Sequence, residues 1–325
     1  MQNSRKPNWM LCVILMLLGA AAQGQSVSFL GIAPDARSAA LGGAGVATTA
    51  DAWSLYWNGA KTAFSEKPGE IGYSYMPRSN EFMKGSRQHA VGGYYRLGER
   101  GSVLLGFRHS SAGKFEDPDG FDSKPMDFTF EAGYAYRLTE HFSAGANVRY
   151  LRSDLDLGEN DVAHGAALDL SLFYRLNPGW INDSSLLTLG LTGSNFGPKI
   201  AYDEDKYALP AAMRLGASFR VPFSDKHAVT ALLEGGYRLA PSDMKEYEAV
   251  LGAEYAYDRY AVLRAGYHFG DIENGGSDFL ALGGGVRFSY FSADFSWQYA
   301  NRGSEARDNL MRLSVGMDLS LLFHK

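Results

Sequence analysis

The stretch "DFTFEAGYAYRL", residues 127–138, alternates strictly between two kinds of side chain. One set is apolar and largely aromatic: Phe128, Phe130, Ala132, Tyr134, Tyr136 and Leu138. The intervening residues are polar or small, and include Glu131 and Arg137. Because successive side chains of a strand point to opposite faces, this period of two predicts a β-strand with one apolar and one polar face.

The same alternation recurs along the chain and predicts fourteen strands. They cover residues 69–76, 87–97, 101–110, 126–138, 141–152, 162–176, 185–194, 208–221, 227–239, 247–257, 260–268, 278–288, 290–300 and 309–323. Most of them have about the 9–11 residues that a tilted membrane-spanning strand requires.

Two folds are compatible with alternating strands: a soluble barrel with the apolar face inward, and a membrane barrel with that face outward. The polar faces repeatedly carry arginine, and aromatic residues such as Tyr136, Phe142 and Phe288 lie beside the turns. Tight turns also alternate with longer polar connections, as in outer-membrane barrels. The sequence therefore predicts an all-β, 14-stranded antiparallel transmembrane β-barrel over residues 69–325, with Leu313 facing lipid and Ser314 facing the lumen.

The first residues predict export. Arg5 and Lys6 precede the apolar run 9–19, which is too short to span a bilayer as a helix, and small residues follow it. Residues 1–24 are therefore interpreted as a cleaved signal peptide that directs the chain to the cell outer membrane. The single cysteine, Cys12, lies within this peptide. The mature chain is accordingly expected to contain no disulfide, and the mild net charge of -5 gives no indication of a nucleic-acid partner.

Residues 25–68 precede the first strand and do not alternate. A helix is predicted at 35–41, after Pro34, and several glycines that permit tight turns follow it. A barrel of fourteen strands encloses more space than its own side chains fill. We therefore expect this segment to start in the periplasm and to fold inside the lumen as a plug, rather than to form a loose periplasmic tail. The residues expected to form the plug are Asp35, Arg37, Leu41, Gly42, Gly43, Gly45, Asp51, Trp53, Tyr56 and Asn58.

Chemical motifs are missing from the sequence. No phosphate-binding glycine loop and no H-E-x-x-H pattern occurs, so no catalytic residue, metal site or cofactor is predicted. Arginines and acids on the polar faces of the strands fit two interpretations: a charged conduit, or an ion network that stabilises the lumen. The second interpretation is favoured because polar interiors are normal in these barrels.

The stretch "FLGIAPDARSAALGGAGVATTADAWSLYWNGAKTAF", residues 29–64, resembles the N-terminal signature of the PorV/PorQ family of the type IX secretion system. The resemblance is closer to PorV, through "PDAR", "AGVAT" and "YWN", although Gly59 stands where the family usually has proline. It implies a barrel of the FadL-like superfamily, and since no catalytic motif is found, no enzymatic activity is expected.

The resemblance also implies a function. The chain would bind secreted cargo proteins by their C-terminal signal domain and pass them on for release or surface attachment. Its partners would be cargo, other type IX secretion components, and outer-membrane lipid or lipopolysaccharide. The alternative is a FadL-like transporter of long-chain fatty acids or other hydrophobic molecules, in which the plug would move and the wall would open. An enzyme acting on lipid A is a third class, for which the sequence offers no Ser/His/acid constellation.

Overall fold

A computed structural model describes residues 27–78, 85–116, 122–156, 162–179, 181–242, 245–274, 276–302 and 310–322. The predicted signal peptide, residues 1–24, lies outside the described residues. Among those residues, no helix combines the length and the apolar character needed to cross a membrane.

Fourteen strands form one closed barrel. They are β1 Gly69–Arg78, β2 Ser86–Leu97, β3 Gly101–Ser111, β4 Met126–Arg137, β5 Phe142–Asp154, β6 Val162–Leu176, β7 Leu186–Phe196, β8 Ala212–Ser224, β9 His227–Arg238, β10 Tyr247–Tyr257, β11 Ala261–Gly270, β12 Asp278–Phe288, β13 Phe291–Arg302 and β14 Leu310–Asp318. Each pairs antiparallel with its neighbours in sequence, and β1 pairs with β14. The predicted fourteen-stranded fold is confirmed, and each of the fourteen strands overlaps its predicted range.

The predicted end of the last strand is wrong. Alternation continues to residue 323, but β14 ends at Asp318 and a 3-10 helix, Leu319–Leu322, follows it. The reason lies in the neighbouring strands. Asp318 is opposite Glu70, near the start of β1, and β13 begins at Phe291. Beyond this point neither neighbour offers enough backbone to continue the ladder, so apolar alternation alone cannot extend the strand.

The connections define two ends of the barrel. At one end, called the turn end, tight turns such as 98–100 and 258–260 join the strands, and β1 begins there. At the other end, called the loop end, most connections are longer, and one of them, between β7 and β8, carries a small hairpin of strands Ile200–Tyr202 and Asp205–Tyr207. A second hairpin joins 115–116 to 122–123. In outer-membrane barrels the short turns are periplasmic.

Apolar side chains cover the outer surface of the wall, as the alternation predicts. Leu313 is 56% exposed whereas the adjacent Ser314 is 3% exposed, which confirms the predicted orientation of β14. In β4 the outward Phe130 is 55% exposed, and the inward Glu131 is buried. A soluble barrel would have the opposite arrangement, so the exposure pattern is that of a wall whose solvent is lipid.

The orientation of the strands can be tested on β9 with two arginine substitutions. Leu233 faces outward near the middle of the strand, whereas Thr230 shares the inward face of Glu234 and is opposite Glu254 of β10. We expect Leu233→Arg to destabilise the barrel by about 2–4 kcal/mol, the cost of a cation on the lipid face near mid-bilayer. Thr230→Arg should cost less, because the new cation would face the polar lumen and not the lipid.

The measurement is the midpoint of urea unfolding in lipid vesicles, read from the heat-modifiable shift of the folded band on gels. Leu233→Met serves as the control because it keeps the apolar contact without adding charge. Equal destabilisation by Leu233→Arg and Thr230→Arg would contradict the assigned faces.

Candidate functional site

The N-terminal segment, defined as residues 27–68, lies inside the barrel and begins at the loop end. Val27 and Phe29 are buried in a cluster with Leu151, Ile200 and Tyr202. Leu151 is close to the loop end of β5, and the other two belong to the hairpin between β7 and β8. The expectation that the segment starts on the periplasmic side is therefore wrong. From Val27 the described segment runs through the lumen to the start of β1 at the turn end.

The predicted helix is present as α1, Ala36–Ala40. Asp35 caps it, because its Oδ1 accepts a hydrogen bond of 2.8 Å from the Ser38 amide, as an N-cap aspartate does. The other carboxylate oxygen of Asp35 accepts 2.9 Å from the Trp57 indole. The Ala36 amide donates to Ser314 Oγ of β14 at 2.9 Å. The first turn of the helix is thus attached to both the segment and the wall.

Glycines allow the chain to turn tightly after α1. Leu41 is fully buried, and Gly42 and Gly43 have φ of +76° and +93°, a region in which only glycine is unstrained. A Cβ at Gly45 would overlap the Trp57 ring. Lys61 then fixes the turn, because its Nζ donates to Gly45 O at 2.9 Å. All three predicted glycines therefore occupy positions where a side chain is strained or excluded.

An ion network joins the segment to three strands. Arg37 Nη1 lies 2.9 Å from Asp51 Oδ2, and its Nε lies 3.5 Å from Glu254 of β10. Arg264 of β11 is 2.6 Å from Glu254 and 2.6 Å from Asp294 of β13. Charges at this depth are stable only when they are paired. The predicted residues Arg37 and Asp51 are therefore brought together as one end of this network.

A second network lies across the lumen, within the wall. Arg108 and Arg149 flank Glu131, each at 2.8 Å. Arg149 is also 2.7 Å from Asp169. Tyr56 of the segment packs against this network, since the Arg108 guanidinium carbon is 4.7 Å from the centre of its ring. Both networks support the interpretation of the inward arginines as a stabilising ion network.

The remaining predicted residues contact the strands around the lumen. Trp53, in a buried cluster with Ala90, is 6% exposed. The Tyr56 hydroxyl donates to the carbonyl of Val91 at 2.5 Å. Asn58 Nδ2 donates to Val46 O and to Leu172 O, each at 3.0 Å. The side chain of Asn58 thus bridges two parts of the chain that are far apart in sequence.

Two ionisable groups of the segment are almost completely buried, and burial moves each pKa towards the neutral form. Burial raises the pKa of Asp35, and the nearby charge of Asp51 acts in the same direction, against the hydrogen bonds from Ser38 and Trp57. Burial lowers the pKa of Lys61, and the attraction of Asp51 opposes this shift. These groups act as fixed internal links, shielded from solvent.

Sequence reasoning missed which wall residues bind the backbone of the segment. Glu234 Oε2 accepts from the amides of Gly45 and Val46 at 3.0 and 2.9 Å. Asn147 Nδ2 donates to Leu55 O at 2.9 Å. The alternation placed both side chains on the inward face, but no sequence signal identifies their partners. Hydrogen bonds or ion pairs join the segment to strands β2, β3, β5, β6, β7, β9, β10, β11 and β14.

The interior therefore has the chemistry of a packed polar core. Within the described ranges, no group of three or more His, Cys, Asp or Glu side chains could hold a metal ion. Inward charged groups such as Glu131, Glu234 and Arg264 bind one another or the segment.

Comparison with known proteins identifies the family and the fold. The model of the type IX secretion system protein PorV matches residues 20–245. No curated protein sequence matches the chain. Among solved structures, the toluene transporter TodX of Pseudomonas putida has a TM-score of 0.57 at 14% identity, covering 86% of this chain and 95% of TodX. The monoaromatic hydrocarbon channel CymD has a TM-score of 0.59 at 16% identity, covering 90% of this chain and 99% of CymD.

A FadL homologue of Pseudomonas aeruginosa is also similar, with a TM-score of 0.54 at 13% identity, covering 87% of this chain and 98% of the homologue. At such low identities the likeness concerns the fold alone, and it confirms the predicted FadL-like barrel. The match to the family model covers more than half of the 325 residues. This chain belongs to the PorV family of type IX secretion system proteins, and is an outer-membrane barrel component of that system rather than an enzyme.

Proposed function

We propose that this barrel binds secreted cargo proteins by their C-terminal signal domain and passes them on for release or surface attachment. Family membership supports this role, and cargo and other type IX secretion components are the proposed partners. We also propose export through the signal peptide of residues 1–24, and contact with outer-membrane lipid or lipopolysaccharide along the apolar outer wall. Cargo binding would take place at the loops, because the N-terminal segment occupies the lumen.

One observation carries this proposal: the inward polar groups around the barrel are bonded to the N-terminal segment. Glu234, Asn147 and Ser314 each bind its backbone from a different side. An unfolded polypeptide could cross the lumen only if all of these contacts broke. We therefore propose that residues 25–68 are a plug, and that the barrel works as a docking platform rather than as a conduit.

The alternative function is transport of fatty acids or other hydrophobic molecules. The fold it shares with a toluene transporter and a hydrocarbon channel favours this function. Two features disfavour it. The described strands form a hydrogen-bonded ladder with both neighbours all round the wall, and the interior is charged. Transport would require movement of the plug and an opening in the wall.

Cargo docking at the loop end can be tested by site-specific photocrosslinking in native outer membrane. Glu204 is exposed at the tip of the hairpin between β7 and β8, and Glu99 is exposed in a tight turn at the opposite end. We expect a photoreactive residue at Glu204 to capture the C-terminal signal domain of a secreted protein. The same residue at Glu99 is the matched control, and should capture little or none.

Mass spectrometry of the crosslinked bands identifies what is captured. Binding of labelled long-chain fatty acid by the purified barrel, with no cargo at either position, would favour the transporter alternative and contradict the docking proposal.

Plug function can be tested by recording ion conductance in planar bilayers. Deleting residues 35–58 should leave closure of the barrel intact, because the strands pair with one another. We expect the deletion variant to conduct ions through the charged lumen, whereas the native protein should show almost no conductance. Gly45→Val should conduct partially, because its side chain would overlap the ring of Trp57.

Gly31→Val provides the matched control in the same segment, since a Cβ at Gly31 meets no atom within 4 Å. It should behave like the native protein. Low conductance of the folded deletion variant, equal to that of the native protein, would show that the segment does not seal the lumen.

A further inference from the structure

The outer face of β1–β3 carries two histidines in direct register near the loop end. His89 of β2 is opposite His109 of β3, and Tyr75 of β1 is opposite His89. The ring centroids of the two histidines are 6.0 Å apart, and those of Tyr75 and His89 are 5.1 Å apart. A polar ring on a lipid-facing wall is unfavourable unless it lies at the interface with water. These rings therefore mark the level at which lipid headgroups begin.

His89 has one ring nitrogen in use and one available. Its Nδ1 is 2.8 Å from the hydroxyl of Tyr73 on β1, which fixes the orientation of the ring. Among the described residues, Nε2 has no hydrogen-bond partner in the protein. The ring is partly exposed, so Nε2 can serve a ligand outside the wall.

Two cations lie beside these histidines. Arg87 is on the same outward face of β2 as His89 and is opposite Ser111 of β3, and Lys124 lies two residues before Met126, which is also opposite Ser111. Neither Arg87 nor Lys124 forms an ion pair with a described carboxylate, and the outward positions of β1–β3 carry no acid. Nearby Arg152, in contrast, is paired with Asp154 at 2.8 Å. Within the part of the chain that the structure describes, no carboxylate pairs with either cation of the patch, and both can contact an anionic partner.

We propose that Arg87, His89, His109 and Lys124 form a binding site for the phosphate-bearing headgroup of an outer-leaflet lipid. Guanidinium and ammonium groups and imidazole N–H groups are the donors that phosphate oxygens prefer. Directly below the histidines, the outward Val91 and Phe107 offer an apolar surface for the acyl chains. The inference deepens the proposed lipid contact and rests on the outer-membrane placement, but it is independent of cargo binding.

The position along the strands selects lipid over other phosphate sources. Both histidines lie two residues from an outward apolar neighbour on the same strand, and Arg87 lies two residues on the other side of His89, towards the loop end. A ligand that contacts both the cationic residues and the apolar residues below them needs an anionic head and an apolar tail. A metal ion is a poorer candidate, because the described residues offer no group of three His, Cys, Asp or Glu side chains.

The experiment titrates the full chain in detergent micelles with diphosphorylated lipid A, and counts bound lipid by native mass spectrometry. We expect the native protein to bind this lipid about tenfold more tightly than lipid A stripped of phosphate. The combined variant Arg87→Gln, His89→Phe, His109→Phe should lose about tenfold in affinity for the phosphorylated form.

His227→Phe provides the matched control at the opposite end of the barrel. His227 also contacts a tyrosine on the neighbouring strand, with Nδ1 at 2.6 Å from the hydroxyl of Tyr255, but it lies beside a tight turn. Its substitution should leave lipid binding unchanged. Cargo capture should be unchanged in all variants, which separates failure of this inference from failure of the proposed function.

The proposal would be overturned by equal affinity for both lipids, by native-like binding of the combined variant, or by an equal loss with His227→Phe. Displacement of the lipid by an equal concentration of inorganic phosphate would instead identify a site for free phosphate, which also overturns it. If the combined variant fails to fold, Arg87→Gln with Lys124→Gln removes the charge without changing the aromatic wall, and the same comparison then decides.

Discussion

Closure of β1 against β14 is the constraint on which the rest of the structure depends. In lipid, an unpaired strand edge leaves backbone amides and carbonyls without partners, so the sheet must end by meeting its own beginning. The pairs Glu70–Asp318 to Tyr75–Leu313 make that seam. Closing fourteen strands produces a wide lumen, and the need to fill it explains why a short helix, glycine turns and buried charges precede the first strand.

Filling this lumen is unlike packing an ordinary protein core. The outward face of each strand must be apolar for the lipid, so the inward face carries most of the polar side chains. The contents of the lumen must therefore be joined by hydrogen bonds and ion pairs as well as by apolar contact. Glu234 shows the principle, since one carboxylate oxygen holds two backbone amides of the N-terminal segment. The linked ion pairs Arg37–Glu254–Arg264–Asp294 likewise attach the N-terminal segment to the wall.

The strands could be predicted from the sequence because lipid imposes a period of two on nearly every residue of the wall. Leu313 faces outward and the adjacent Ser314 faces inward, as that period requires. The end of β14 could not be predicted, because it depends on where its partners stop, which is a non-local fact. The hairpin at 200–207 was also missed, since it is short and covers Val27 and Phe29 instead of alternating across a membrane.

Within the candidate site, the helix predicted at 35–41 and the glycine turn after it could be predicted because they are local. Asp35 binds the backbone amide of Ser38 only three residues later, and Gly42 and Gly43 have the positive φ that the tight turn requires. The pairing of Arg37 with Glu254 and of Lys61 with Gly45 and Thr48 could not be predicted, because these contacts depend on how the segment is placed within the closed wall.

The path of the N-terminal segment sets an order of events in assembly. Val27 is buried at the loop end, whereas β1 starts at the turn end, so the chain has already crossed the full depth of the barrel once before the first strand begins. The segment is joined covalently to the wall only at the turn end, where β1 starts. The contacts of Val27 and Phe29 with the hairpin at 200–207 can therefore form only once the segment extends through the whole lumen.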